Sequence, residues 1–263
     1  MRPTFENASL DPAITGQIAV DQTRPRRRKI IPIRAILFDK DGTFVDFRRT
    51  WGPAVQEVML HLAAGNRGTY ERLAAASRFV ESDIRFLPDS PIIAEPSSVY
   101  FKLWADVLGR PADAALLAEI DQLLCDATTS HLTAIGDPKA LLDLLSARDY
   151  RLGMITNDAE ITARVHARKL GIEENLEFIA GYDTGFGAKP DPGPVLAFAH
   201  AVAVAPWEIV VVGDSALDLV AAHAAGAIGV GVLTGATPRE ILAPHAEILL
   251  TSLAELPAWL EAR

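Results

Sequence analysis

The sequence has a single cysteine, Cys125, among its 263 residues. One cysteine cannot form an intramolecular disulfide or supply a cysteine-based zinc cluster. A small domain stabilised by disulfides and one stabilised by cysteine-bound zinc are therefore both excluded. Sparse cysteine is typical of proteins that work in a reducing compartment. We therefore expect a cytoplasmic protein in which Cys125 is a small buried apolar residue.

Long apolar runs are also missing. No segment approaches the ~18 consecutive apolar residues that a membrane-spanning helix requires. Residues 1–30 contain no apolar block that could serve as the core of a signal peptide. A membrane partner and export are therefore not expected.

Positive charge is scarce compared with negative charge. Lys and Arg number 25 and Asp and Glu number 34, which gives a formal net charge of -9. Such a chain has no long-range attraction for DNA or RNA, so nucleic acid is not an expected partner. The 49% of hydrophobic residues and 22% of charged residues are typical of an ordinary globular protein with a sizeable core.

Residues 1–30 are predicted to form a flexible tail, because proline and polar residues dominate them. The tail ends in a basic run, Arg24–Lys29. This run is either a solvated part of the tail or a localisation or polyanion-binding patch, and the sequence leaves both interpretations open.

From Ile33 onward, short apolar runs alternate with segments of helical periodicity. This alternation predicts an α/β fold with a doubly wound, Rossmann-like parallel sheet, whose ligands bind at the carboxyl ends of the strands. The predicted strands are 33–38, 152–155, 178–180, 209–212, 228–233 and 248–250, and the predicted helices between them are 138–147, 159–170, 192–202 and 216–225.

The alternation is interrupted between residues 49 and 135, where four helical segments occur with little strand signal. We interpret this region as an inserted all-helical cap domain on an α/β core domain formed by residues 31–48 and 136–263. The four predicted helices of the insertion are 52–63, 70–79, 97–108 and 112–125.

Two aspartates close the first predicted strand. Asp39 and Asp41 alternate with Lys40, so both carboxylates are expected on one side of the strand while Lys40 points away from them. Carboxylates this close repel each other unless a cation or a proton holds them. Gly42 then allows a sharp turn. Turn-forming residues before a glycine are the structural alternative for Asp41.

Three further groups of polar residues follow predicted strands or precede helices. Thr156 and Asn157 could cradle phosphate oxygens or cap a helix. Lys189 precedes Pro190 and Pro192 in a loop, where its charge could neutralise a phosphate. Asp214 and Asp218 are spaced to share one face of a helix near its N-terminus, where carboxylates and substrate oxygens suit Mg²⁺.

Taken in order, these four groups resemble the four motifs of the haloacid dehalogenase (HAD) superfamily of hydrolases. The resemblance extends from Ile33 to about Leu260. The helical insertion lies where relatives of the phosphoglycolate phosphatase type carry a cap. The second aspartate and Asp214 argue against the dehalogenase branch, and Asp41 argues against the phosphonatase branch, which has alanine at that position.

The resemblance implies a role for each group. Asp39 would be the nucleophile that forms an aspartyl-phosphate, and Asp41 the general acid and base. Thr156 and Asn157 would hold the phosphoryl oxygens, together with Gly42 and Thr43, and Lys189 would stabilise developing charge. The implied cofactor is Mg²⁺, with Asp39, Asp41 through its backbone carbonyl, Asp214 and Asp218 as the metal residues; Asp218 would orient a metal water or Lys189.

The expected activity is therefore that of a Mg²⁺-dependent phosphatase acting on a small phosphorylated metabolite, with phosphoglycolate as the commonest substrate of similar sequences. A sugar phosphomutase and a non-catalytic phosphate-binding module are the alternatives. The sequence does not indicate an oligomeric state.

Other residues of the insertion receive weaker interpretations. Five basic side chains are candidates for binding an anionic substrate, although each is more simply a solvated surface charge: Arg48, Arg49, Arg67, Arg85 and Lys102. Trp51 and Trp104 are expected in the core rather than at the substrate. The six histidines show no metal-ligand spacing and are expected to be surface or core residues.

Overall fold

The computed structural model describes residues 32–263. The predicted flexible tail and its basic run lie outside the described residues.

Within residues 32–263, six strands form a parallel sheet, and two very short strands form an antiparallel ribbon elsewhere. The eight strands of this part of the chain, in order, are β1 Ala35–Asp39, β2 Phe79–Val80, β3 Arg85–Phe86, β4 Arg151–Ile155, β5 Phe178–Ala180, β6 Ile209–Gly213, β7 Ile228–Val232 and β8 Ile248–Leu250. The parallel sheet has the order β5-β4-β1-β6-β7-β8. The carboxyl ends of β1, β4 and β6 are therefore neighbours at one edge of the sheet.

Helices cover both faces of this sheet, as a parallel sheet requires. The described part of the chain has ten α-helices, which are α1 Phe47–Leu62, α2 Arg67–Ala76, α3 Ser97–Leu108, α4 Ala114–Ser130, α5 Pro138–Ser146, α6 Glu160–Lys169, α7 Gly193–Ala201, α8 Ala216–Ala225, α9 Arg239–Leu242 and α10 Leu256–Glu261. Side chains of α5, α6 and α10 pack in the hydrophobic cluster on one face. Those of α7 and α8 pack in the cluster on the other. The predicted doubly wound α/β fold is confirmed.

Helices α1 to α4 enclose a hydrophobic cluster of their own. Its centre includes Trp104, which is fully buried and donates its indole N–H to the Ser77 hydroxyl. The ribbon of β2 and β3 also belongs to this part of the chain and was not indicated by the sequence. Helix α1 begins at Phe47, so the predicted domain boundary at residue 49 lies inside its first turn.

The structure also shows where the single cysteine lies and whether a described helix could cross a membrane. Cys125 is buried on α4. Within residues 32–263, the structure has no helix that combines the length and the apolar character needed to cross a membrane.

Candidate active site

The four groups of polar residues meet in one cavity. Asp39 is the last residue of β1, Thr156 and Asn157 follow β4, and Asp214 follows β6. Because these strands are adjacent and parallel, their ends bring the side chains together, and the loop before α7 adds Lys189. The cavity has a volume of about 100 Å³ and is roofed by residues of α1 and α3 and of the segment before α3.

Lys189 holds Asp39 through a buried ion pair. Its ammonium nitrogen lies 2.5 Å from Asp39 Oδ1 and 2.6 Å from Asp218 Oδ1, and Lys189 is only 7% exposed. Burial opposes the charge of the lysine, but the carboxylates of Asp218 and Asp39 hold its pKa above the ordinary value. Lys189 is therefore a fixed positive charge beside the proposed nucleophile.

The second oxygen of Asp39, Oδ2, is buried and has no hydrogen-bond partner. The pKa of Asp39 is raised to about 7, mainly by burial; Lys189 lowers it, and Asp218 and Asp41 raise it. Burial, followed by the charges of Asp39 and Asp218, also raises the pKa of Asp214 well above its ordinary value. Within residues 32–263, Lys189 is the one cation that forms an ion pair with Asp39 or Asp218.

A divalent cation fits this arrangement. Asp39, Asp214 and Asp218 each offer an oxygen, and these oxygens lie within 4.8 Å of one another. Both oxygens of Asp218 already accept hydrogen bonds, from Lys189 and from Ser215, whereas Asp39 Oδ2 is free. Hard oxygen donors of this kind suit Mg²⁺. The donor set therefore favours Asp39 and Asp214 as ligands and Asp218 as the residue that holds Lys189.

Asp41 is held by two donors that the sequence did not connect with it. The indole N–H of Trp51 donates to Asp41 Oδ1 at 2.8 Å, and the Lys40 ammonium lies 3.1 Å from Asp41 Oδ2. The expectation that Lys40 points away from the site is wrong, because its long side chain turns back toward Asp41. Trp51 is buried in the core, as expected, but it also lines the cavity, which the sequence did not indicate.

Lys40 is completely buried, and the carboxylates of Asp158 and Asp41 compensate its charge. Its ammonium lies 2.5 Å from Asp158 Oδ2 and 3.3 Å from His166 Nδ1. Burial opposes its charge, but Asp158 and Asp41 raise the pKa of Lys40 above its ordinary value. Burial raises the pKa of Asp158 to about 6, while burial and the nearby Lys40 lower the pKa of His166 to about 2. His166 is thus a neutral acceptor for Lys40.

Asn157 connects three parts of the chain. Its amide nitrogen donates to the carbonyls of Ala94 at 3.0 Å and Lys189 at 2.9 Å, and its amide oxygen accepts from the Lys189 backbone N–H at 2.8 Å. The Asn157 side chain therefore fixes the loop that carries Lys189 and contacts the segment before α3. Thr156 lines the cavity, and its hydroxyl accepts a hydrogen bond from the Asp158 backbone N–H; its contact with phosphate stays a prediction.

Gly42 and Thr43 have different surroundings. Gly42 has a left-handed backbone, with φ of 81°, and a Cβ there would lie 2.4 Å from the Asp214 carboxylate. Thr43 is fully buried, and its hydroxyl has no hydrogen-bond partner. In residues 32–263, neither of these two residues lines the cavity, so their predicted contact with substrate stays a prediction.

The wall that α1, α3 and the segment before α3 supply is mainly apolar, and its one charged side chain within the described chain is Glu95. The aromatic and aliphatic part includes Phe47, Trp51, Ile92, Ile93 and Tyr100. None of the five basic residues considered for substrate binding lines the cavity in residues 32–263. Arg67 pairs with Glu71 and Glu81, Arg49 with Asp46 and Arg85 with Asp83, and Arg48 and Lys102 are exposed.

Known proteins resemble the chain over most of its length. A phosphoglycolate phosphatase of Rhodospirillum rubrum is 29% identical over 86% of this chain and 90% of that protein. A phosphoglycolate phosphatase of Neisseria meningitidis is 33% identical over 77% of this chain and 81% of that protein. Among solved structures, CbbY from Rhodobacter sphaeroides in complex with phosphate is 19% identical, with a TM-score of 0.65 over 87% of this chain and 99% of that one, a likeness of fold.

The family model of the haloacid dehalogenase-like hydrolases matches residues 33–226, which is about three quarters of the chain and includes all four groups of polar residues. The resemblance seen in the sequence is thereby confirmed, and the chain belongs to the haloacid dehalogenase-like hydrolase family.

Proposed function

We propose that this protein is a Mg²⁺-dependent phosphatase that hydrolyses a small phosphate monoester through an aspartyl-phosphate on Asp39. The observation that carries the proposal is the state of the Asp39 carboxylate. One oxygen is fixed by Lys189, and the other is buried at the cavity without a partner. Lys189 orients this carboxylate, so that one of its oxygens can bind the metal ion while the other attacks phosphorus.

Each residue of the cavity has its own role in the proposed reaction. Asp39 attacks phosphorus, the bond to the alcohol oxygen breaks, and Asp41 gives its proton to the departing alcohol. Asp41 then accepts a proton from the water that attacks the aspartyl-phosphate, so that phosphate leaves and Asp39 is restored. Thr156 and Lys189 bind the phosphoryl oxygens and balance the charge that develops on them.

Asp39, Asp214 and the backbone carbonyl of Asp41 would hold the Mg²⁺ ion. When bound, the ion would neutralise the crowded carboxylates and reduce the repulsion between Asp39 and an anionic phosphate. Asp218 contributes indirectly, because its two oxygens are engaged by Lys189 and Ser215.

Residues 49–135 would act as the cap. Their segment before α3 meets the core at the contact between Asn157 and Ala94, and their side chains roof the cavity. A roof of this kind excludes bulk water from the reacting groups. The cavity volume of about 100 Å³ suits a small metabolite. Phosphoglycolate is the first ester to test, because both relatives described above carry that name, and the charges of the cavity wall determine the order expected among esters of similar size.

The proposal is tested with purified protein and p-nitrophenyl phosphate. Hydrolysis should require Mg²⁺ and stop when EDTA is added. Asp39→Asn should lower kcat by at least about 1,000-fold, because the nucleophile is lost. Asp106→Asn, which changes an exposed aspartate of α3, is the matched control and should keep full activity. Undiminished turnover in the Asp39 variant would remove the proposed nucleophile.

The two alternative functions predict different results in the same assay. A sugar phosphomutase would release little phosphate from simple esters without a bisphosphate activator. A non-catalytic phosphate-binding module would turn over no ester at all. Steady release of phosphate from a simple ester, without activator, supports the phosphatase against both.

A further inference from the structure

We infer that Lys40 and Trp51 are positioning residues that hold Asp41 in the orientation needed for proton transfer to the departing alcohol. The inference rests on the proposed function, because it concerns the general acid of that reaction. It is carried by contacts that neither the sequence pattern nor the family resemblance indicated.

The two oxygens of Asp41 are fixed by donors from different parts of the chain. Trp51 lies on α1 and donates its indole N–H to Oδ1 at 2.8 Å, whereas Lys40 is the residue before Asp41 and reaches Oδ2 at 3.1 Å. A carboxylate with a donor on each oxygen cannot rotate without breaking a hydrogen bond. The Asp41 side chain is still 16% exposed, so it remains open to a substrate in the cavity.

Lys40 is itself held in place. Asp158 and His166 also bind its ammonium, and the nitrogen lies 5.6 Å from the centre of the Trp51 ring. A charge that is 0% exposed is expensive to bury, and an apolar side chain of similar size commonly gives equal or greater stability. The ion pair with Asp158 alone therefore does not account for a lysine at this position, whereas its contact with Asp41 does.

Asp39 and Asp41 are therefore each held by a different lysine. Lys189, fixed by Asp218, holds the nucleophile Asp39, and Lys40, fixed by Asp158, holds Asp41. The two carboxylates are two residues apart and have different tasks, one in attack and one in proton transfer. Independent partners allow each side chain to keep its own direction.

This arrangement predicts an effect that depends on the departing alcohol. An alkyl alcohol is a poor leaving group without a proton, so its departure needs a well-placed Asp41. p-Nitrophenol leaves readily as an anion and needs little help. A loosened Asp41 should therefore slow an alkyl ester far more than p-nitrophenyl phosphate, whereas general damage to the fold would slow both equally.

The test compares kcat/KM for 2-hydroxyethyl phosphate and p-nitrophenyl phosphate. Trp51→Phe keeps an aromatic ring but removes the N–H, and should lower the value for the alkyl ester about 20-fold and that for p-nitrophenyl phosphate less than about threefold. Lys40→Met should behave in the same way. Lys40→Arg should recover part of the loss for the alkyl ester, because it restores a donor.

Trp104→Phe is the matched control. Trp104 is also a buried tryptophan whose N–H donates to a side chain, but its partner is Ser77 and it lies outside the cavity lining. This variant should leave the ratio of the two kcat/KM values unchanged. If Lys40→Met fails to fold, the ratio of the two kcat/KM values in Trp51→Phe is sufficient to test the inference, because this change removes one hydrogen bond and little volume.

Equal losses for both esters in a folded Trp51→Phe protein would overturn the inference and leave the phosphatase proposal intact. The proposed function fails in a different way, either when the wild-type protein hydrolyses neither ester or when Asp39→Asn remains fully active. The two failures are therefore distinguishable in one set of measurements.

Discussion

Gly235 lies so close to Asp214 that its position leaves no space for a side chain. A Cβ at this residue would lie 1.6 Å from Asp214 Oδ2, and its backbone is not in the left-handed region. Alanine would therefore act only by displacing the carboxylate of a proposed metal ligand. We predict that Gly235→Ala weakens Mg²⁺ binding about tenfold or more, measured by isothermal titration calorimetry.

Gly68→Ala serves as the control for this change, because a Cβ at Gly68 meets its nearest atom at an ordinary 3.4 Å. It should leave the Mg²⁺ affinity unaltered. An unchanged affinity in a folded Gly235→Ala protein would show that Asp214 does not depend on this close approach.

At the same scale, the sequence predicted the residues that strand ends bring together and missed those that depend on side-chain length or helix direction. Asp39, Lys189 and Asp214 meet as expected from adjacent parallel strands. Alternation along a strand gives the direction of the Lys40 Cβ, but a lysine is long enough to turn back toward its neighbour. The contact from Trp51 to Asp41 depends on how α1 leaves the sheet, which no local pattern encodes.

At the scale of elements, segments that turn-forming residues bound on both sides were predicted best. Strands β5 and β8 and helices α3 and α8 have the expected limits, because turn-forming residues flank them. The ribbon of β2 and β3 was not foreseen, since two residues per strand carry no periodicity. The early start of α1 follows from Asp46, whose side chain accepts from the Arg49 N–H as an N-cap.

The segment before α3 makes a prediction about the substrate. In residues 32–263, Lys189 is the one cation lining the cavity, and Asp39 and Asp218 already bind it, while Glu95 adds a negative charge to the opposite wall. A carboxylate on the departing alcohol would therefore lack an ionic partner there. We expect kcat/KM to be about fivefold higher for 2-aminoethyl phosphate than for phosphoglycolate, which has a similar size.

Variants of Glu95 isolate the cause of that preference. Glu95→Gln should remove most of it and Glu95→Lys should reverse it, whereas Glu57→Gln, an exposed glutamate of α1 away from the cavity lining, should leave it unchanged. The N-terminal end of α3 is the feature of this wall that attracts anions. A clear preference of the wild-type protein for phosphoglycolate would mean that the helix end outweighs Glu95.

At the scale of the whole molecule, the net negative charge argued against nucleic acid as a partner, and part of it also points to a metal site. Four of its aspartates, Asp39, Asp41, Asp214 and Asp218, lie at one edge of the sheet, where Lys189 is the one cation lining the cavity within the described chain. Clustered carboxylates without a metal ion destabilise the folded state. The protein should therefore be less stable without Mg²⁺ than its large buried core suggests.

The pH dependence of stability in EDTA tests whether ionisation of Asp39 destabilises the folded protein. Its pKa is about 7 in the folded protein, compared with an ordinary value of 3.8. Between these values the unfolded chain loses the Asp39 proton while the folded chain keeps it, so folding is progressively weakened as pH rises from about 4 to about 7. An asparagine cannot ionise, so Asp39→Asn should escape this loss.

We therefore predict that, in EDTA, the Tm of Asp39→Asn equals or falls below that of the wild-type protein near pH 4 and exceeds it by about 3 °C or more near pH 8. Excess Mg²⁺ should reverse the order at the higher pH, because the wild-type carboxylate binds the ion more tightly than an amide does and ligand binding stabilises the folded state. A Tm difference that is the same at both pH values would mean that Asp39 is ionised at no cost. In that case Lys189 would balance the charge of Asp39 without a metal ion, and the case for a cation at this edge of the sheet would rest on Asp214.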